Sequence, residues 1–328
     1  MNADVKTLSD AIRYFSDEQV CIDTVADMRW PNGPECPVCA SGAARQHWLK
    51  TQRRWQCRDC GKQFSVKVNT IFEDSAVKLE KWLTAMWLLA NCKNGVSSYE
   101  IHRSIGVTQK SAWFMLQRIR LAMKNQSILK MGSSGGPVEV DESFHGGSPK
   151  NWSLSKRASR KRFSDPEAKL KDTKTAVVGL LDRETRQVRA KVVPNVSREI
   201  LQDVILDSVV GTGTVYTDGW KSYSNLKGLN FVHETVNHLD EYVRGDVHTN
   251  GIENFWALLK RGLKGTYVAV EPFHLERYVD EQVFRFNNRA TKRNPLTDAD
   301  RFLIALSQIA GKRLTYAELT GKVGETAL

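Results

Sequence analysis

Four cysteines fall in two C-x-x-C pairs, CPVC at Cys36 and Cys39 and CRDC at Cys57 and Cys60. Seventeen residues (40–56) separate the pairs. A short turn inside each pair lets two thiolates reach one soft cation. Two such knuckles at this distance match a ribbon that holds a single structural zinc tetrahedrally through four sulfurs. Pro34 precedes the first knuckle, and Gly61 follows the second, where a tight turn is needed. The segment between them alternates in the manner of strands, HWLK and then RRWQC. Buried thiols at chance spacing are the alternative, but a core this small is hard to fold without a metal. Cys21 and Cys92 lie outside the pattern and read as packing residues. The ribbon, residues 29–72, also carries Arg45, Lys50, Arg53, Arg54, Arg58 and Lys62, either a phosphate-binding face or a merely solvated one.

Composition narrows the setting. Lysine and arginine outnumber aspartate and glutamate by 48 to 37, a formal net charge of +11, which suits a chain that meets a polyanion. No run approaches the roughly 20 apolar residues of a membrane span, and the start, MNADVKTLSDAIRYF, lacks a signal-peptide pattern. The expectation is a soluble cytoplasmic protein, with an N-terminal helical segment over residues 1–28, no membrane partner and reduced cysteines.

Beyond the ribbon the period becomes helical. Leu79, Trp82, Leu83, Met86, Leu89 and Ala90 share one face, and Asn94-Gly95 stops the helix. In SSYEIHRSIGV, Ser97 with Glu100 reads as a capping box and Gly106 as a stop. Thr108 then caps a longer helix with Trp113, Leu116, Ile119 and Met123 on one side. A short helix, a glycine turn and a longer helix predict a helix-turn-helix over residues 76–125. A plain helical subdomain gives the same pattern. In the DNA-binding reading Gln109, Lys110 and Ser111 face base edges, while Arg118 and Arg120 reach phosphates. NQSILKMGSSGG is small and polar, so residues 126–136 read as a linker.

The second half, 137–295, reads as strand, strand, strand, helix, strand, small helix, strand, helix. PVEVDESFHGG, TAVVGLLDR and QVRAKVVPN form a meander, and REILQDVILDSV is a helix. TGTVYTDGW and LNFVHETV are further strands, and HTNGIENFWALLKRG opens the last helix. A meander followed by helix-linked strands predicts a mixed sheet with helices on its faces, the order of an RNase H-like α/β fold. Asp141 then lies on the first strand, Asp218 at the end of the fourth, and Glu253 on the helix after the fifth. Between the first two strands sits a basic insertion, residues 148–174. From Lys150 to Lys174 it has nine basic residues and three acidic ones, and reads as a basic loop that clamps DNA phosphates, with Lys156, Arg157, Arg160, Lys161 and Arg162 as candidate DNA contacts. The final segment, 296–328, reads as a helical tail with FLIALSQIAG as its apolar face, for packing or self-association.

Three carboxylates at strand ends and a helix start can cage divalent ions of the kind that cut phosphodiesters. Each also has a bland reading. Asn250-x-x-Glu253 is itself a capping box, Asp141 and Asp218 are possible strand-end caps, and Glu253 with Lys260 is a possible solvated stripe. Phe255 and Trp256 read as core. Glu142 is a spare acid beside the site and Asn250 a possible supporting group. His145, His238 and His248 read as loop or packing residues. Trp220, Lys221 and Tyr223 either line a DNA channel or pack beneath the acids.

Together, VEVDESFHGG, YTDGWKSY and HTNGIENFWALLKRG resemble the DDE-type bacterial insertion-sequence transposases, more narrowly those with a zinc ribbon ahead of the catalytic domain. The resemblance runs from about Arg29 to about Asn294. It implies that Asp141, Asp218 and Glu253 hold two Mg²⁺ or Mn²⁺ ions, with Lys260 as the basic residue of the final helix near the transposon end; Lys221, after Asp218, and Arg261, beside Lys260, are candidate DNA contacts. The implied activity is hydrolysis of DNA at the element ends, followed by joining of the freed 3′-hydroxyl to target DNA. The implied partners are double-stranded terminal inverted repeats, target DNA, and further copies of the chain as a homodimer or higher assembly, with no small-molecule substrate and a place at the bacterial nucleoid. An RNase H-like nuclease without strand transfer, or a transposase-derived DNA binder that has lost catalysis, stays open on the same residues.

Overall fold

The computed structural model describes residues 5–124, 129–146, 174–224, 226–236 and 245–321. They divide into two compact units, one formed by residues 1–124 together with 288–328, the other by residues 125–287.

In the first unit, helices α1 (Leu8–Tyr14) and α2 (Glu18–Arg29) precede a three-stranded antiparallel sheet, β1 (Gln46–Leu49), β2 (Arg54–Cys57) and β3 (Gln63–Phe64). Trp48 lies opposite Trp55, and Trp55 opposite Phe64. The rings of Trp30, Trp55 and Phe64 pack around the buried Cys36 and Cys57, so the ribbon core is mostly aromatic and sulfur. Three helices follow: α3 (Leu79–Asn91), α4 (Ser98–Ile105) and α5 (Gln109–Met123). Their ends follow the local signals. Ser97 and Glu100 form a reciprocal capping box, Gly106 adopts φ +61°, and the Thr108 hydroxyl accepts from the Ser111 amide. All six predicted core positions of α3 are buried.

The C-terminal segment, expected as a tail from residue 296, is part of this unit, and the boundary falls after Asn287. Helix α9 (Asp298–Ser307) lies against α3, with Phe302 between Phe15 and Trp87, and Arg301 donates to the Asn91 amide oxygen at 2.8 Å. Ile309 is fully buried, and Ala310 bridges to Thr70. The apolar face of FLIALSQIAG thus completes the core that α3 begins, and a last short helix, α10 (Tyr316–Leu319), follows.

The second unit is built on a five-stranded mixed sheet in the order β6-β5-β4-β7-β8. Strands β4 (Val138–His145), β5 (Thr175–Asp182) and β6 (Val188–Val193) form the antiparallel meander. Strands β7 (Thr214–Asp218) and β8 (Val232–Val236) run parallel to β4. Alternation along the strands separates two faces. Val138, Val140, Val178, Leu180 and Val215 pack under α6 (Arg198–Ser208) through Leu201 and Ile205. Val177, Leu181 and Val188 pack under α7 (Asn250–Gly262) and α8 (Leu275–Asn287), through Ile252, Phe255, Trp256, Leu259 and Val283. Asn287 closes the unit by pairing in both directions with the Val188 backbone. The described part of the expected linker is docked here: Met131 is buried and bridges to Val209, and the Gly132 amide donates to Asp182. One apolar side chain and one unsatisfied amide suffice to pin a polar stretch. Among the described residues no helix is long and apolar enough to cross a membrane.

Candidate active site and metal centres

Parallel pairing sets Val138 beside Val215 and Glu139 beside Tyr216. The same register carried two residues further brings Asp141 of β4 abreast of Asp218, the last residue of β7. Residues two apart on a strand share a face, so Asp141 points with Glu139 toward α7. There the Trp256 indole N–H donates to Asp141 Oδ2 at 3.0 Å. That ring needs room on the neighbouring strand. Gly179, directly opposite Asp141, supplies it, since a Cβ at Gly179 would meet Trp256 Cζ2 at 2.5 Å. Asp218 accepts from the Trp220 amide at 3.1 Å. Glu253, exposed on the first turn of α7, accepts from the Thr249 hydroxyl at 2.9 Å.

Burial pushes the Asp141 carboxyl up to about 6, and the negative charges of Asp218 and Glu253 add to the rise. The Trp256 and Glu142 N–H groups oppose it. Asp218 and Glu253 are therefore each within electrostatic reach of Asp141. Glu142 points to the other face, where burial and the nearby charges of Asp141 and Asp218 raise it to about 7, against the lowering effect of the neighbouring Tyr223 hydroxyl. That contact falls short of good hydrogen-bond geometry. Burial, and after it the positive charge of exposed Lys260 on α7, pushes the His145 imidazole down to about 4, so that it is neutral at pH 7. His145 lies beside Trp256, with ring centroids 6.2 Å apart.

The cysteines form the tighter cluster. Their four sulfurs all lie within 4.8 Å of one another, with Cys36 to Cys60 and Cys39 to Cys57 both at 3.6 Å. Sulfurs at about 2.3 Å around a tetrahedral zinc stand about 3.8 Å apart, so the donor set fits that ion. The carboxylates are set more widely; among the described residues only the cysteines reach this closeness.

Residues 134–287 match the profile of the ISXO2-like transposase domain, and residues 16–63 that of the transposase zinc-ribbon domain. An uncharacterized transposase-like protein of Haemophilus influenzae is 36% identical over 106 residues, 32% of this chain and 85% of that protein. This chain belongs to the insertion-sequence transposases with an N-terminal zinc ribbon. A protein in transposable element ISH50 of Halobacterium salinarum is 29% identical over 256 residues, 77% of this chain and 85% of that one. A simian T-cell lymphotropic virus intasome chain, solved in complex with the PP2A regulatory subunit B56 gamma, superposes at a TM-score of 0.30. It has 11% identity over 66% of this chain and 72% of that one, a likeness too slight to carry an argument.

The expected DNA contacts of this transposase fare unevenly. Arg118 is a correction: it is 4% exposed, and its guanidinium donates to the carbonyls of Leu314, Ile71 and Glu73. It ties three segments of the first unit together. Arg120 is buried as well. The Gln109 amide donates to Ser98, the Lys110 ammonium lies 4.7 Å from the Tyr316 ring centroid, and Ser111 is bound into the Thr108 cap. Arg261 is exposed on α7, and Lys221 begins the 3-10 turn after Asp218. Lys156, Arg157, Arg160, Lys161 and Arg162 lie outside the described residues, as does His238. Tyr223 is buried beneath the acids, whereas Trp220 is half-exposed beside them.

Asn250 does not form the capping box suspected for Glu253. It is the first helical residue, and Thr249 takes the cap position. Sequence reasoning passed over Gly179, Glu139 and Arg183. A glycine inside a buried strand run was the one available signal for the first.

Proposed function

We propose that this transposase cuts and joins DNA through Asp141, Asp218 and Glu253. The carrying observation is the raised titration of Asp141, caused by burial together with the charges of the other two acids. Three carboxylates from distant parts of the chain, all within reach of one charge, fit divalent cations better than they fit a cap or a solvated stripe. Mg²⁺ or Mn²⁺ held there in a pair would supply a nucleophile at neutral pH and stabilise the leaving oxygen. The remaining work belongs to the chain. Trp256 fixes the Asp141 rotamer by its N–H, and Thr249 orients Glu253. Exposed Lys260 and Arg261 offer positive charge to the DNA backbone on the same helix. In the first step a water oxygen attacks the phosphorus at the element end, and the bond to the 3′-oxygen breaks. In the second the freed 3′-hydroxyl attacks a target phosphodiester and displaces its 3′-oxygen.

The sheet order, with an antiparallel meander at one edge and parallel strands at the other, supports the RNase H-like reading. Helices α4 and α5, with Gly106 between them, support a helix-turn-helix that binds terminal repeats with the ribbon. Joining two ends requires at least two copies of the chain.

Incubation with labelled terminal repeats, Mn²⁺ and a target plasmid tests the reading. Joined product is expected. Nicks alone would leave a nuclease, and a mobility shift without cleavage would leave a DNA binder. Asp218→Ala should abolish cleavage by 10²-fold or more, an order-of-magnitude expectation for a lost metal ligand, while end binding stays within about twofold.

A further inference from the structure

Strand β4 carries another acid on the Asp141 face, two residues earlier. Glu139 is fully buried, and both of its oxygens are engaged. Oε1 accepts from Arg183 Nε at 2.7 Å, and Oε2 accepts from the Ile252 amide at 2.9 Å. Ile252 belongs to the first turn of α7, whose amides have no partner inside the helix. Thr249, at the cap position, makes no side-chain bond to them. The helix start is thus capped by a strand residue 113 positions away. Arg183, just beyond β5, also donates to the carbonyls of Asp246 and His248 on the approach to α7. Its guanidinium lies 4.9 Å from the Tyr216 ring centroid on β7. Gly251 makes this closeness possible, because a Cβ there would stand 2.7 Å from Glu139 Oε2.

One ion pair, its carboxylate fully buried and its guanidinium mostly so, therefore joins the elements that bear Asp141, Asp218 and Glu253. Apolar side chains of the same volume stabilise an interior at least as well as a buried ion pair does. What Glu139 and Arg183 add is direction, since each hydrogen bond fixes a specific backbone group. Glu253 directly follows Ile252, so any slip of that amide passes straight to its carboxylate. We propose that Glu139, Arg183 and Gly251 are positioning residues that lock the first turn of α7 onto β4 and so set where Glu253 stands relative to Asp141 and Asp218. The inference rests on reading those three acids as the metal site.

Two variants test it from opposite sides of one contact. Glu139→Gln keeps the volume but turns an NH₂ toward one of two N–H donors. Gly251→Ala adds a methyl against the carboxylate, in a helix where alanine is ordinarily the better residue. Mn²⁺ binding to the zinc-loaded full chain is followed by electron paramagnetic resonance, with Asp141→Asn as the ligand control. Cleavage of terminal-repeat DNA is followed in parallel, with kcat and KM separated. Both variants are expected to bind Mn²⁺ about 10–100-fold more weakly, as lost supporting groups do, and to lose kcat to a similar degree with KM unchanged. If both fold and match wild type in Mn²⁺ affinity and kcat, the positioning role is wrong. If Glu139→Gln fails to fold, Gly251→Ala decides alone. If wild type itself binds no Mn²⁺ that Asp141→Asn abolishes, the metal reading has failed, and the clamp falls with it.

Discussion

Asp141 is a carboxylate whose surroundings oppose its charge. Folded, it titrates near 6, against an ordinary value of 3.8. Between those values the folded protein keeps a proton that the unfolded chain has released. Stability without divalent metal therefore falls as pH rises through that window, and the deficit is complete above it. Asp141→Asn removes the charge. Without added Mg²⁺ at pH 7 it should be more stable than wild type by about 1–3 kcal/mol, by urea denaturation, and the gap should close below pH 3.8. Gly179 is the second sensitive position. Gly179→Ala puts a methyl into the Trp256 ring and should cost about 1–3 kcal/mol. It also pushes the indole off Asp141, so cleavage should fall further than stability does, with indole fluorescence reporting the shift.

Among the elements, those with local signals were legible in the sequence. Helix α4 begins at the Ser97–Glu100 box and ends at Gly106, and both devices are written within ten residues. Ser97→Ala should cost about 1 kcal/mol, read as lost hydrogen-exchange protection in α4. The ribbon was legible for the same reason, since a zinc knuckle is a short-range motif. Cys57→Ser should release the metal, measured as zinc per chain, and loosen Trp30 and Trp55 around it. The order of strands and helices in the second unit followed from periodicity, and with it the strand-end place of Asp218 and the helix-start place of Glu253; Asp141, expected where its strand ends, lies mid-strand, because β4 runs on to His145 in pairing with β5. What escaped notice depends on partners far along the chain. Arg118 looked like a phosphate contact because its helix was read alone, and its carbonyl partner at Leu314 lies 196 positions away. Glu139 looked like one polar residue in an alternating strand, because nothing nearby foretells that it caps a helix 113 positions on.

Across the whole molecule, the second unit is inserted into the first. Deleting residues 288–328 should strip Phe302, Leu306 and Ile309 from the core around α3 and take the Leu314 carbonyl from Arg118. Amides of α3 and α5 should then lose most of their exchange protection, while those of β4 to β8 keep theirs. The arrangement also sets a schedule on the ribosome. The nascent chain completes α5 at Met123, but its partner helix begins at Asp298, about 175 residues later, a wait of roughly 10–35 s at bacterial translation speeds. Meanwhile the unit with the three acids emerges entire, so a newborn chain can bring those carboxylates together before the ribbon-bearing unit has closed its own interior.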